Sequence, residues 1–96
     1  MKTINQLKNT LAGYKKELRE KYHVKQLGIF GSYVRGEETQ SSDLDIMVEL
    51  EEPIGLEFVT LAEELESLLG LKVDLISANA IRPRMMELIR KELVYV

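Results

Sequence analysis

Residues 31–45, GSYVRGEETQSSDLD, join two segments that are rich in β-forming residues. Val24 to Phe30 ends directly before this stretch, and Asp43 to Leu50 opens by alternating carboxyl and apolar side chains. Such composition and alternation are typical of strands. The stretch therefore predicts a strand, a Gly-Ser turn, a polar loop and a returning strand that begins with Asp-x-Asp.

Three long helices or helical segments are predicted around these strands. Apolar residues recur at steps of three or four from Ile4 to Tyr22 and from Leu56 to Leu69, which is the stripe of an amphipathic helix. A third helix is predicted from Ala80, after a short strand candidate at Lys72 to Ser77. The sequence does not decide whether the final residues, 94–96, form an edge strand, cover the core or contact a partner.

The order of these elements predicts an α+β fold, an α/β layer in which helices pack on a small mixed β-sheet. The linker of residues 31–42 is near the lower limit for a parallel crossover, so the pattern leaves the relative direction of the first two strands open. With 96 residues, the chain is predicted to form a single domain, residues 1–96.

Composition and charge exclude several classes of protein. The chain has no cysteine, which excludes a disulfide framework, a thiolate zinc site and a cysteine nucleophile. Residues 1–10 lack the apolar core of a signal peptide, and no later apolar run could span a bilayer, so we expect a cytoplasmic protein without a membrane partner. The net charge of -3 argues against direct nucleic-acid binding, which a basic surface drives.

Asp43 and Asp45 are the principal candidates for a metal site. Residues i and i+2 of a strand point to the same face, so we expect these carboxylates side by side while Leu44 enters the core. Two neighbouring like charges are costly unless a cation joins them, and hard oxygen ligands suit Mg²⁺. Asp74 lies in the next strand candidate, where Val73 points inward. If the two strands are neighbours, the three acids form one cluster.

Three carboxylates can hold two metal ions about 4 Å apart, one activating an attacking hydroxyl and the other neutralising a triphosphate and its leaving group. Asp74 is predicted to be the ligand nearest the nucleophile and is a candidate general base. An isolated Asp-x-Asp is more often a solvent-facing part of a strand. The presence of Gly31, Ser32 and Asp74 favours the catalytic interpretation.

Gly31, Ser32 and Arg35 are the candidates for binding the nucleotide. Gly31 allows the backbone to approach a ligand closely, and a short helix that begins at Ser32 would offer amides and a hydroxyl to phosphate oxygens. Ser32 is also predicted to cap that helix. Arg35 is assigned equally to the nucleotide or to a salt bridge with Glu37, Glu38 or an acid of the cluster.

Gly31-Ser32, ten intervening residues, Asp43-Leu44-Asp45 and then Asp74 on a later strand follow one another in a specific order. This arrangement resembles the nucleotidyltransferase family related to DNA polymerase β, and the spacing looks most like that of its minimal members. The resemblance covers essentially the whole chain. It implies a small mixed sheet with helices on one face.

The resemblance also implies an activity and a partner. Minimal members are commonly encoded beside a HEPN-domain protein, an all-helical ribonuclease toxin, and act as its antitoxin. By similarity, this chain would transfer AMP from ATP to a tyrosine hydroxyl of such a toxin, with two Mg²⁺ ions as cofactors. Asp43, Asp45 and Asp74 would bind the metal, and Gly31 and Ser32 would hold the triphosphate.

Two alternatives to this activity stay open. The first is a stoichiometric inhibitor that covers the toxin without required catalysis, its acid cluster being vestigial. The intact motif argues against such decay but leaves binding open as a parallel mechanism. The second is transfer to a small molecule such as an aminoglycoside. Family members of that kind usually need a second domain, for which this chain has little room.

Overall fold

The computed structural model describes residues 2–96. Its strands are β1 (Val24–Phe30), β2 (Leu44–Leu50), β3 (Val73–Ser77) and β4 (Val94–Tyr95). Its helices are α1 (Ile4–Tyr22), α2 (Ser32–Arg35), α3 (Glu57–Leu69) and α4 (Pro83–Arg90), with a 3-10 turn at Ala78–Ala80. Each helix within residues 2–96 is too short or too polar to cross a membrane.

The four strands form one mixed sheet in the order β3-β2-β1-β4. β1 runs antiparallel to both β2 and β4, whereas β2 runs parallel to β3. The first two strands are therefore a hairpin, and the parallel pair is the one joined through α3. Of the roles considered for residues 94–96, the structure shows both the edge strand and a cover over the core, against which Val96 packs. The Val96 N–H extends the strand by donating to the Leu27 carbonyl at 3.0 Å.

Local sequence signals set the ends of the helices. Thr3 and Gln6 form a capping box at the start of α1, and Gly70 ends α3 in the left-handed conformation with a φ of 69°. The third predicted helix begins three residues later than Ala80. The residue before Pro83 is held in the extended conformation by the proline ring, so α4 can begin only at the proline itself.

The main core lies under one face of the sheet, where α1 and α3 pack. Its fully buried members are the inward side chains of the two helices and of β1 and β2: Leu7, Leu11, Leu18, Leu27, Ile29, Leu44, Ile46, Val48, Leu61, Leu65 and Leu69. Their helical and alternating spacings are those that predicted the elements. Each such side chain stabilises the fold by roughly 1.5–3 kcal/mol through its removal from water.

A second, smaller apolar cluster covers the opposite face. Phe30 and Met47 pack there against Ile89 of α4. The implied arrangement of helices on one face is therefore correct for α1 and α3 and wrong for α4. The reason is that Met47, which follows Asp45 on this face of β2, is apolar and must be covered. The candidate site lies on this second face, beside α4.

Candidate active site

The register of the β1–β2 hairpin brings Gly31 against Asp45. Phe30 pairs with Asp45, so the chain leaves β1 immediately beside that carboxyl group. Gly31 has a φ of 84° and a ψ of -154°, a region that is essentially restricted to glycine. A Cβ atom at this position would lie 1.9 Å from Asp45 Oδ2. The close approach and the backbone conformation therefore both require glycine at position 31.

The three predicted acids lie on the same face of neighbouring strands. Asp45 is directly opposite Asp74 in the parallel ladder of β2 and β3, and Asp43 lies two residues before Asp45. The next pair on this face, Met47 and Ile76, belongs to the cluster beneath α4. The sheet order thus supplies the neighbouring strands on which the predicted cluster depended.

The electrostatics of this cluster are unfavourable in the absence of a cation. The pKa of Asp45 is raised from an ordinary value of 3.8 to about 6. Partial burial of the carboxyl group is the largest cause, followed by repulsion from Asp74 and then from Asp43, while Arg35 acts in the opposite direction. A positive charge placed among the three acids would relieve this repulsion.

The acids do not form a closed metal cage. Among residues 2–96, no three histidine, cysteine, aspartate or glutamate side chains are arranged to hold an ion by themselves. Asp43 and Asp74 are exposed, and Asp45 is half-buried. Mg²⁺ is usually bound through one or two carboxylates and completes its octahedron with waters and substrate phosphates. The donor set therefore fits an ion that is bound together with a phosphate ligand.

Ser32 opens α2 but does not cap it. The N-cap position is occupied by Gly31, and in this described segment no side chain hydrogen-bonds to the first amides of the helix. The capping role predicted for Ser32 is wrong because Ser32 is already the first helical residue. The short helix is closed instead by its backbone, in which the Gly31 carbonyl accepts from the Val34 and Arg35 N–H groups at 3.0 and 3.2 Å.

Arg35 forms salt bridges on the same turn. Its Nε donates to Glu37 Oε1 at 2.8 Å, and its Nη1 lies 3.1 and 3.0 Å from Oε1 and Oε2 of Glu92. Glu37 is one of the partners that the sequence predicted. The hydrogen bond with Glu37, followed by the hydrogen bond with Glu92, raises the pKa of the guanidinium group. Because Arg35 also lowers the pKa of Asp45, its positive charge reaches the acid cluster.

Glu92 is the member of this region that the sequence did not indicate. Its Oε1 also accepts a hydrogen bond from the Gly31 N–H at 2.9 Å, across 61 residues of sequence. In the sequence it is one glutamate of a charged helical segment. Only the pairing of the C-terminal strand with β1, a tertiary feature, would have pointed to it.

An open cleft lies beside Asp43. Its volume is about 570 Å³, within the range of small-molecule sites. Polar groups predominate among the residues that line it: Tyr33, Gln40, Ser41, Ser42, Asp43, Gly70, Leu71 and Lys72. Ser42 shapes the loop wall, since its Oγ accepts from the Thr39 N–H at 2.9 Å. The cleft adds Tyr33, Gln40 and Lys72 to the residues near the predicted site.

Comparison with known proteins points to one family of enzymes. The family model described as a nucleotidyltransferase domain matches residues 11–96. The protein adenylyltransferase MntA of Thermococcus cleftensis is 45% identical over 97 residues, which cover 100% of this chain and 98% of that protein.

Two solved structures share the fold. One, assigned as a minimal nucleotidyltransferase, has a TM-score of 0.74 and 33% identity, over 92% of this chain and 93% of that chain. The other is a complex of a tri-AMPylated Shewanella oneidensis HEPN toxin with an MNT antitoxin. Its matching chain has a TM-score of 0.69 and 18% identity, over 95% of this chain and 69% of its own length, which shows a common fold alone.

Proposed function

The chain belongs to the nucleotidyltransferase domain family, and we propose that residues 1–96, as one domain, transfer AMP from ATP to a hydroxyl of a HEPN toxin and so neutralise it. The observation that carries this proposal is the placement of Asp45, between Asp74 and the side-chain-free surface of Gly31. The similarity to MntA along nearly the whole of both chains supports an adenylyl group and a protein acceptor. The choice of a HEPN toxin as that acceptor is made by analogy with the Shewanella complex, whose antitoxin shares the fold of this chain.

We assign Asp43, Asp45 and Asp74 to the binding of Mg²⁺, as two ions. The three carboxylates supply hard oxygen ligands, and burial, together with repulsion from the other two acids, already raises the pKa of Asp45. When bound, Mg²⁺ would neutralise charge on the triphosphate and lower the pKa of the attacking hydroxyl. Asp74 lies on β3, the open edge of the sheet, where an acceptor can approach, so we assign it to orienting that hydroxyl or accepting its proton.

We assign Gly31, Ser32 and Arg35 to the triphosphate. The missing side chain of Gly31 makes room for the Asp45 carboxyl group, and the neighbouring Ser32 hydroxyl has no capping role that would compete with a phosphate. Arg35 is exposed and is held near the acid cluster by its two glutamate partners. These groups act by positioning and by charge, which is how most phosphoryl and nucleotidyl transfer is accelerated.

The acceptor residue and the place of the reaction follow from the same proposal. A tyrosine hydroxyl is the acceptor that the family resemblance implies. We place the reaction in the cytoplasm, where ATP and a ribonuclease toxin would both be present.

The test is the intact mass of a coexpressed HEPN partner after incubation with this protein, ATP and Mg²⁺. We expect a mass gain of one or more AMP units that disappears with EDTA and with Asp43→Asn. That variant removes the charge of an exposed side chain at nearly constant volume, so the fold should persist. Glu49→Gln, on the strand that follows Asp43, is the matched control and should remain active.

Two other outcomes would contradict the proposal. A partner that stays unmodified but is tightly bound and silenced would establish stoichiometric inhibition instead. Protection of cells by Asp43→Asn at the level of the wild-type protein would lead to the same conclusion.

A further inference from the structure

Glu92 lies between α4 and β4, opposite the turn that follows β1. β4 pairs with β1 through Gly28 with Tyr95 and Ile29 with Val94. Continuing this antiparallel register places Glu92 across from Gly31. The backbone ladder has ended at that point, and the Glu92 side chain takes its place by accepting from the Gly31 N–H at 2.9 Å.

The direction of this amide separates it from the acid cluster. Backbone groups of alternate residues in a strand point to the same edge, and the Leu27 carbonyl points to the β4 edge, where it accepts from Val96. Ile29 pairs with Val94 on that edge, and the Gly31 N–H follows in the same series. Glu92 therefore binds a donor that faces away from β2, and it leaves the Ser32 hydroxyl and backbone open to a ligand.

The same carboxylate also holds the other end of α2. Arg35 Nη1 contacts both Glu92 oxygens, at 3.1 and 3.0 Å. The Glu92 side chain is only 24% exposed, compared with 47% for Arg35. Charge-assisted hydrogen bonds are stronger than neutral ones, and partial burial reduces their screening by solvent. One side chain thus ties both ends of the Gly31–Arg35 segment to the C-terminal strand.

We propose that Glu92 is a positioning residue for the nucleotide: through the Gly31 amide it keeps the Gly31 backbone against Asp45 and the Ser32 hydroxyl in place for the triphosphate. This inference rests on the proposed role of Gly31 and Ser32 in nucleotide binding. Glycine has more accessible backbone conformations than any other residue, so a single external hydrogen bond has a large effect on which one is populated. The contact with Arg35 reinforces this position and is secondary to it.

Two variants separate the reach of the side chain from its charge. Glu92→Gln keeps the length and an Oε1 acceptor for the Gly31 N–H but removes the charge. Glu92→Asp keeps the charge but withdraws the acceptor by one methylene group. We expect Glu92→Asp and Glu92→Ala to bind ATP, in the presence of Mg²⁺, about tenfold more weakly, and Glu92→Gln to stay within about threefold of the wild-type protein.

The measurements are the Kd of ATP by calorimetry in the presence of Mg²⁺, KM and kcat for AMP transfer, and the thermal midpoint of each variant. The effect should fall on Kd and KM, with kcat nearly unchanged. Glu87→Ala, an exposed glutamate of α4, is the control and should behave as wild type. If Glu92→Ala does not fold, the comparison of Glu92→Gln with Glu92→Asp decides the question.

Specific results would overturn this inference. They are a Glu92→Gln protein as weak as Glu92→Asp, a Glu92→Asp protein as tight as wild type, or tighter ATP binding by Glu92→Ala, which would make Glu92 a competitor of the phosphates. Failure of the proposed function looks different, because the wild-type protein would then not bind ATP at all.

Discussion

Replacement of Asp45 by asparagine is expected to stabilise the protein while it removes the activity. The pKa of Asp45 is about 6 in the folded protein, against an ordinary value of 3.8. At 1.36 kcal/mol for each pKa unit, the cost of the charged form is at most roughly 3 kcal/mol. The carboxyl group is only partly buried, and solvent screening reduces this to about 1–2 kcal/mol. Asparagine removes that cost at nearly the same volume.

The pH dependence of this gain has a definite sign. Because the folded-state pKa is raised, the folded protein binds more protons than the unfolded chain between pH 3.8 and about 6, and wild-type stability falls as the pH rises through that window. The stability difference between Asp45→Asn and wild type should therefore be absent below the window. It should grow through the window and be complete at pH 7.

Urea unfolding of both proteins at pH 7 and near pH 4, without metal, measures this difference. A gain of about 1 kcal/mol would also raise the thermal midpoint by roughly 4–8 °C in a domain of this size. Glu49 is another carboxylate on β2, so Glu49→Gln controls for the general effect of removing a negative charge. A variant that is no more stable than wild type at pH 7, or one whose gain persists near pH 4, would refute the reasoning.

Two further substitutions test the glycines of β1 and its turn. Gly31→Ala should abolish transfer and destabilise the protein. The added Cβ would meet Asp45 Oδ2 at 1.9 Å, and the backbone conformation itself costs about 1–3 kcal/mol for a residue other than glycine. A variant that unfolds at the same urea concentration as the wild-type protein and retains transfer would contradict this. Gly28→Ala would place its Cβ 2.6 Å from Leu93 Cδ1 and should cost about 1–3 kcal/mol of unfolding free energy by overpacking. Leu93→Ala in the same chain should recover part of that loss, and a double variant without recovery would show that the clash is not the cause.

The features of the site that were predictable from sequence are those set by local pattern. The alternation around Asp43 and Asp45 places both acids on one face regardless of what the strand pairs with. Gly31, at the end of an apolar strand, likewise predicts a turn. Since a short connection joins β1 to β2, Gly31 and Asp45 are close in sequence and also meet in space.

The remaining features depend on long-range pairing that no local pattern encodes. The order of the strands decides that Asp74 is opposite Asp45, and the antiparallel addition of β4 decides that Glu92 reaches Gly31. The N-cap of α2 is Gly31 and not Ser32, and a shift of one residue at the end of a helix is not resolved by propensity alone. The position of α4 followed from the need to cover Met47, a demand that appears only once the sheet is formed.

The hairpin that carries Gly31 and Asp45 also determines which changes of length the chain can accept. Its loop, residues 36–41, lies at the surface, where added residues cost little closure entropy, and only its last residues, Gln40 and Ser41, line the cleft beside Asp43. Deletion of Leu44, at the start of β2, would instead turn every following side chain to the other face, placing the carboxylate of Asp45 among the core leucines and Ile46 among the acids. A change of length should therefore be tolerated better in this loop than in the strand between Asp43 and Val48, although a loop of different length would no longer have the spacing of the minimal members.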